Sequence, residues 1–129
     1  NQKTREYISK RIGEIAESTA KAFRGTIDYN YTFGAPPVVN DNDFTAKVIE
    51  SAKKAIGEEH VQIMNSPVMG GEDFAYYLEK VPGTFIFIST QLAIEGTCYP
   101  HHNSRFAIDE QYLDRSIKIF VQSALDLLG

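Results

Sequence analysis

The stretch Gly34-Ala-Pro-Pro-Val-Val-Asn-Asp-Asn-Asp43 is the strongest interruption in this 129-residue sequence, and it decides how the rest is interpreted. Proline fixes φ and lacks an amide proton, so Pro36 and Pro37 fit neither a helix interior nor a central strand. The Asn and Asp residues that follow favour turns and helix caps. The sequence therefore predicts a domain boundary or a crossover at this point.

The residues before this stretch predict a helix followed by a strand. From Thr4 to about Phe23, apolar residues recur at helical spacing, with charged residues on the other face. Gly25 is a suitable stop for that helix. The run from Thr26 to Phe33 alternates with a period of two, which is typical of a strand with one solvated face.

The residues after the stretch predict helices that alternate with strands. Asp41 or Asp43 caps a helix that Gly57 ends, and Asp109 opens a final helix whose apolar stripe is expected to face the core. The elements predicted between them are a strand at 61–64, a helix at 72–80 and a buried strand at 84–89. This order predicts an α/β fold with a layered sheet, whose ligand sites lie in the loops beyond the strand ends.

Composition narrows the possible partners. The net charge of −4 argues against nucleic-acid binding, which normally requires a basic surface. No apolar run approaches the roughly 20 residues that span a bilayer, and no signal peptide is evident. The single cysteine, Cys98, excludes an internal disulfide and fits a reducing compartment, so we expect a cytoplasmic protein. The start at Asn1, without methionine, fits either processing or a piece of a longer polypeptide, and we favour the second interpretation.

His101 and His102 are the first candidates for chemistry. Because they follow Pro100, we expect extended backbone, so that the two side chains point to opposite faces and do not bind one metal ion together. Either one is a metal ligand and the other a substrate or supporting group, or both are solvated loop residues. A catalytic zinc needs about three protein ligands, so this pair alone does not complete a metal site.

The second candidate is the segment Gly70-Gly71-Glu72-Asp73. Its glycines allow a tight turn into a helix, where main-chain N–H groups favour an anionic substrate. Equally, the glycines simply make the turn while Glu72 and Asp73 act as caps or first-turn acids, and spacing alone favours this interpretation. Arg105 either binds a substrate carboxylate or pairs with a surface acid, and the ion pair is the commoner arrangement.

Three segments together resemble the metal-dependent amidohydrolase/peptidase family, which includes hippurate hydrolases, N-acyl-amino-acid amidohydrolases and auxin-conjugate hydrolases. The segments are Met69-Gly-Gly-Glu-Asp-Phe-Ala-Tyr-Tyr77, Val81-Pro-Gly-Thr-Phe-Ile-Phe87 and His101-His-Asn-Ser-Arg-Phe-Ala-Ile-Asp-Glu110. Their order and spacing match the C-terminal part of such enzymes. The resemblance implies that residues 1–34 end a lid or dimerisation domain and that residues 35–129 are the C-terminal part of a zinc-peptidase-like catalytic domain.

The resemblance also implies roles for single residues. The family's His-x-Pro-x-Phe-x-x-x-Glu element carries a metal-ligating histidine, and it corresponds here to His102-Asn-Ser-Arg-Phe-Ala-Ile-Asp-Glu110, so His102 is the implied ligand. Ser104 stands in place of the usual proline, and Ala107 in place of an acid often found there. The implied metal is divalent: zinc, or alternatively manganese, cobalt or nickel. The residues implied to line the substrate cleft are Gly70, Gly71, Glu72, Asp73 and His101.

The family's other metal ligands and its catalytic glutamate have no counterpart in this sequence, so no catalytic residue is expected within it. The resemblance implies a hydrolase of N-acyl-amino-acid or peptide amide bonds, forming a homo-oligomer through its lid domain. This chain would supply one ligand and a cleft loop, and would be inactive in isolation. Two alternatives stay open: a non-catalytic α/β binding or assembly module, and a split-enzyme subunit completed by another chain.

Overall fold

A computed structural model describes the whole chain, residues 1–129. The chain divides into two compact units. One contains residues 1–39 and 69–81, and the other contains residues 40–68 and 82–129. The expected division into a lid part, residues 1–34, and a catalytic part, residues 35–129, stays a prediction.

The first unit is built on helix α1, Gln2–Ala22, which confirms the helix expected from the periodicity. The side chain of Asn1 caps it by accepting a hydrogen bond from the Thr4 amide at 2.9 Å. The segment that follows packs on α1 through Tyr29, whose hydroxyl donates to the Ser9 carbonyl oxygen at 2.6 Å. This unit also contains the four-residue helix α3, Ala75–Leu78.

The strand expected at residues 26–33 is absent from the first unit. A strand is defined by hydrogen bonds to a neighbouring strand, and no other segment of the unit supplies one. The alternating side chains are aromatic and contact one another instead. The Tyr31 and Phe33 rings meet edge to face, with centroids 4.9 Å apart. The alternation therefore indicated an extended aromatic segment rather than a paired strand.

The second unit is held together by helix α2, Asn42–Ile56, and helix α4, Leu113–Leu128, which pack against each other. The Asp41 carboxylate caps α2 by accepting from the Phe44 amide at 2.8 Å, and Gly57 ends the helix at a φ of 92°. Both of these features were expected from the sequence. A 3₁₀ turn, Glu110–Tyr112, leads into α4, and Asp109 caps it.

Few side chains are buried between α2 and α4. The buried apolar residues of these helices are Val48, Ala52 and Ile119. Beside them a polar cluster crosses the interface: the Ser51 hydroxyl donates to Oδ2 of Asp126 at 2.7 Å, and Nζ of Lys54 contacts the same oxygen at 3.0 Å. The interface is thus as much polar as apolar.

The sheet of the second unit is small. Strands β1, Ala93–Ile94, and β2, Thr97–Cys98, form an antiparallel hairpin in which Ala93 faces Cys98. Both turn residues, Glu95 and Gly96, have positive φ, as a type I′ hairpin turn requires. The chain is therefore a mixed helix-and-sheet structure, compatible with an α/β fold, but the expected layered sheet is not present in these residues.

The expected strands at 61–64 and 84–89 are not strands in the structure. The second segment is held at its start by the side chain of Asn40, which accepts from the Phe85 amide at 2.8 Å and donates to the Phe85 carbonyl oxygen at 3.0 Å. Beyond it, the chain pairs briefly with residues 107–109. At Phe85 the Asn40 side chain thus makes the backbone hydrogen bonds that a neighbouring strand would make. No β-ladder extends through residues 86–89.

The apolar stripe of α4 lies on the solvent side, contrary to expectation. Its large members are between 43% and 88% exposed, and they are Leu113, Ile117, Phe120, Val121, Leu125 and Leu128. The less exposed residues of α4 are buried Ile119 and half-buried Arg115, Ser116, Gln122, Ser123 and Leu127, and Asp126 contacts α2. Separately, no helix of the structure has both the length and the apolarity needed to cross a bilayer.

Gly13 allows the contact between Tyr29 and α1 to form. A Cβ atom at Gly13 would lie 2.8 Å from Cδ1 of Tyr29. We expect Gly13→Ala to be neutral or destabilising in the wild-type chain, because the ring must move and the hydroxyl loses its bond to Ser9. In a Tyr29→Ala background the same change should stabilise by about 1 kcal/mol, the helix propensity difference. Equal effects in both backgrounds, measured by urea unfolding, would contradict this packing.

Asp126 makes stability depend on pH. The hydrogen bond from Ser51, followed by that from Lys54, holds the pKa of the Asp126 carboxyl below its usual range. A carboxyl whose pKa is lowered by folding stabilises the fold above its unfolded-state pKa, about 3.9. That stabilisation is lost as the pH falls through the folded-state pKa. We expect Asp126→Asn to reduce the change in urea midpoint between pH 6 and pH 2.

The matched control is Asp114→Asn on the same helix. Lys118 lowers the pKa of the Asp114 carboxyl through a hydrogen bond, but both side chains of that pair are more than half exposed. Exposed pairs contribute little to stability, so this variant should change the pH dependence less than Asp126→Asn. If Asp114→Asn changed the pH dependence of stability more than Asp126→Asn does, the polar cluster between α2 and α4 would not be the source of that dependence.

Candidate functional site

The two histidines lie in a tight turn, so the expectation of extended backbone is wrong. The Asn103 amide donates to the Pro100 carbonyl oxygen at 3.2 Å, which places His101 and His102 at the centre of a β-turn. His102 has a φ of 67°, in the left-handed region, where non-glycine residues are uncommon. The turn lies in the second unit, directly after the β1–β2 hairpin.

The two imidazoles have different surroundings. The His101 ring packs on the Phe106 ring, with centroids 4.6 Å apart and planes 36° apart. His102 is exposed, and no hydrogen bond or ion pair engages its ring. His101 is also exposed and its ring makes no hydrogen bond or ion pair, so the two residues differ in the ring contact with Phe106 and in the backbone of His102. The expectation that the two differ in role stays a prediction.

Several contacts shape the residues after His102. Asn103 Oδ1 accepts from the Arg105 amide at 2.9 Å, and the Asn103 carbonyl oxygen accepts from the Phe106 amide at 3.0 Å. The Arg105 guanidinium pairs with the Glu95 carboxylate at 2.6 Å and lies 4.6 Å from the centroid of the Tyr99 ring. Arg105 thus ties the histidine turn to the hairpin.

Arg105 follows the commoner of its two expected behaviours, since it pairs with a surface acid. The sequence reasoning missed that acid, Glu95, and the stacked ring, Tyr99. A signal for Glu95 existed in the Glu95-Gly96 dipeptide, which is compatible with a hairpin turn. A hairpin returning at that point would bring a turn residue near the segment that follows β2.

The glycine and acidic residues form part of the first unit. A Cβ atom at Gly70 or at Gly71 would meet nothing within 4 Å, so both face open space. The Phe74 amide donates to Glu72 Oε1 at 3.4 Å, and the Tyr76 amide donates to the Asp73 carbonyl oxygen at 3.0 Å. The helix that follows begins after Phe74, without a side-chain cap and without an acid in its first turn. Glu72 and Asp73 are therefore neither caps nor first-turn acids of this helix, and their role in the substrate cleft stays a prediction.

The helix expected over residues 72–80 is shorter than predicted. Only Ala75–Leu78 is α-helical, with single turns on either side. One helical turn between Gly71 and Pro82 is too short for cooperative helix formation. It also has too few aligned peptide dipoles to make an anion site, so the substrate-binding role expected of this helix start gains no support from the structure.

The residues of this chain do not by themselves fit a metal ion. Histidine is a suitable zinc ligand, and His102 is exposed, but the structure brings together no group of three or more His, Cys, Asp or Glu side chains. Cys98, the other soft donor, is exposed and unpaired on β2. Any metal ion bound at His102 needs further ligands from beyond these residues.

Comparison with known proteins identifies the family. The model of peptidase family M20/M25/M40 matches residues 3–126, nearly the whole chain. The chain belongs to this family. It is 32% identical over 125 residues to the putative amidohydrolase YhaA of Bacillus subtilis (strain 168), covering 97% of this chain and 31% of YhaA.

Two further relatives extend the comparison. The chain is 32% identical over 129 residues to N-acetyl-L-cysteine deacetylase of Bacillus subtilis (strain 168), covering 99% of this chain and 29% of that protein. It is 36% identical over 78 residues to thermostable carboxypeptidase 1 of Saccharolobus solfataricus (strain ATCC 35092 / DSM 1617 / JCM 11322 / P2), covering 60% of this chain and 19% of that protein. The chain thus spans about three tenths of the first relatives' length. No solved structure is found to match it.

The left-handed backbone of His102 can be tested directly. We expect His102→Gly to leave the free energy of unfolding unchanged or slightly higher, because glycine adopts this φ without strain. His102→Val should destabilise by about 1–2 kcal/mol, because a β-branched residue is strained there. The same pair of substitutions at His101, whose φ is not positive, provides the control. If valine were tolerated equally at both positions, the left-handed turn would be refuted.

Proposed function

We propose that this chain is the C-terminal part of a hydrolase that cleaves N-acyl-amino-acid or peptide amide bonds. The observation that carries the proposal is the family match over residues 3–126, joined to an exposed His102 within the His-His-Asn-Ser-Arg-Phe segment. The names of the relatives, an amidohydrolase, a deacetylase and a carboxypeptidase, all describe hydrolytic reactions and support it.

The proposal includes a role for each predicted site residue. His102 is one ligand of a divalent metal site, zinc in the first instance, whose other ligands and catalytic base come from outside these residues. Gly70, Gly71, Glu72, Asp73 and His101 belong to the substrate cleft. Residues 1–34 belong to a lid domain that forms a homo-oligomer, and the compartment is the cytoplasm.

The extent of accessible surface supports an incomplete fold. The chain exposes 10,388 Å², whereas a folded monomer of this mass exposes about 6,900 Å². Even two separately folded bodies of the sizes of the two units would expose about 8,300 Å² together. The excess corresponds to surface that a longer polypeptide, or another chain, would cover.

The uncovered stripe on α4 supports the same conclusion. Burying a large apolar side chain stabilises a fold by about 1.5–3 kcal/mol, and this helix leaves six of them exposed while burying Ile119. A binding or assembly module and a split-enzyme subunit would each present such a stripe to a partner, so the stripe does not separate these alternatives from one long hydrolase. The split enzyme is the second candidate because the family match favours a hydrolase.

The two candidates differ in the coding sequence. An upstream reading frame that encodes a Cys-x-His pair and adjacent glutamates would favour one long hydrolase. A start codon near Asn1, with those residues encoded elsewhere, would favour the split enzyme. Either candidate predicts that the 129 residues alone do not hydrolyse N-acyl amino acids when zinc, cobalt or manganese is added. Robust turnover by the purified chain would overturn both.

The assignment of His102 is tested in the polypeptide encoded by the complete reading frame. We expect His102→Ala to lower bound metal, measured by elemental analysis, and to weaken metal affinity at least tenfold. Matched controls are His60→Ala, in the 3₁₀ turn Glu58–His60, and His101→Ala, whose ring packs on Phe106. If His101→Ala removed metal and His102→Ala did not, the two histidines would have the reverse roles.

A further inference from the structure

The first unit contains a cavity of about 330 Å³ that includes the predicted cleft residues Gly70 and Gly71, together with residues to which no role has been assigned. It lies between the start of α1, the proline pair and the glycine pair. Its walls include Arg5, Ile8, Tyr31, Pro36, Gly70 and Gly71. Small-molecule sites range from about 300 to 1,000 Å³ and combine apolar walls with a few polar groups. This cavity has that composition, with Arg5 as its charged side chain and Asn1 and Thr4 as further polar residues.

The Arg5 guanidinium is held in place without an acidic partner. It lies 4.8 Å from the centroid of the Phe33 ring, which it contacts as a cation–π pair. One NH1 proton is donated to Gln2 Oε1 at 3.1 Å, and one NH2 proton is donated to the Gly34 carbonyl oxygen. The ion pairs of the structure all join other residues, so no carboxylate oxygen lies within 4 Å of Arg5.

The N–H groups of Arg5 that make no hydrogen bond in the structure can bind a carboxylate. A guanidinium has five N–H groups in a planar fork, and two of them are used here, so three remain. A carboxylate can accept two of these in parallel, which is the strongest arrangement such a pair adopts. The other arginine of α1, Arg11, is paired with Glu14, so Arg5 is the arginine of this helix that has no carboxylate partner.

The remaining walls favour an apolar body next to that carboxylate. Ile8, Tyr31 and Pro36 present carbon surface to the cavity. Gly70 and Gly71 have no side chain, and the space above them is open. Neither glycine has a positive φ, so the absence of side chains there keeps the cavity open rather than relieving backbone strain.

We propose that this cavity binds a small carboxylate with an apolar substituent, with Arg5 as the residue that holds the carboxylate. The proposed hydrolysis of N-acyl amino acids and peptides supplies two sources of such a group: a free acyl amino acid and a peptide C-terminus. The choice between these sources rests on the proposed function, whereas binding of the carboxylate itself does not.

The test is an NMR titration of the 129-residue chain with N-acetyl-L-leucine, observing the Arg5 Nε–Hε group and the amides of Gly70 and Gly71. We expect saturable shifts at these three sites. N-acetyl-L-leucinamide, which differs by lacking the negative charge, should bind at least tenfold more weakly. Leucyl-leucine, which adds a free ammonium group, distinguishes the peptide source: equal binding indicates a peptide terminus, and weaker binding indicates the acyl amino acid.

Three variants complete the experiment. Arg5→Gln should weaken binding at least tenfold, and Arg5→Lys should weaken it less, because charge is kept while the planar fork is lost. Gly71→Val should also weaken binding, since its side chain would enter the cavity without touching Arg5. This variant keeps the test valid if Arg5→Gln fails to fold. Arg11→Gln is the matched control on the same helix and should bind as the wild type does.

The proposal would be overturned by an absence of saturable shifts, by equal binding of the acid and the amide, or by an Arg11→Gln effect as large as that of Arg5→Gln. The titration involves neither added metal nor hydrolysis. Loss of carboxylate binding would therefore leave the proposed hydrolase intact, and failure of the hydrolase tests would leave the Arg5 site intact.

Discussion

The packing of α4 against α2 is the interaction on which the second unit depends. It buries Ile119 against the α2 side and joins Ser51 to Asp126, and the histidine turn leads into α4 through the capped 3₁₀ turn at Glu110–Tyr112. Yet α4 uses its less apolar face for this contact. An amphipathic helix gains most by burying its apolar stripe, so the packing observed here leaves the larger gain available to a surface that these residues do not contain.

The backbone of residues 84–89 also lacks the contacts that its composition leads one to expect. Residues 84–89 have the composition of a buried strand, but the Phe85 backbone bonds to the side chain of Asn40, and no β-ladder forms along residues 86–89. One unit thus contains both an exposed apolar helix face and an apolar segment without a β-ladder. The proposal that these residues belong to a larger hydrolase accounts for both features, and the chain spans about three tenths of the length of its first relatives.

The sequence predicted correctly those elements that are determined by interactions between residues close together in the chain. The bounds of α1 and α2 followed from periodicity and from caps at Asp41 and Gly57, which act within one turn. Strands form only when they pair with another segment, which is often distant in sequence. The local pattern at 26–33, 61–64 and 84–89 therefore could not show whether a pairing partner exists. The stripe of α4 was identified correctly, but which face meets α2 depends on the other helix.

The candidate site shows the same limit. The family resemblance selected His102 over His101, and the structure adds that His102 is exposed at a left-handed backbone position while His101 packs on Phe106. The proline before the pair suggested extended backbone. The structure has a turn instead, closed by the hydrogen bond from the Asn103 amide to the Pro100 carbonyl oxygen. The cavity at Arg5 could not be predicted, since it brings together residues more than sixty positions apart in sequence.

Amide hydrogen exchange of residues 86–89 tests the central claim most directly, because it reports whether that segment has a strand partner. It should be measured in the 129-residue chain and in the polypeptide encoded by the complete reading frame. We expect these amides to exchange rapidly in the short chain, while those in the middle of α2 are protected, and to become protected at least a hundredfold in the longer polypeptide. Equal exchange in both would contradict the proposal that these residues are part of a larger hydrolase fold.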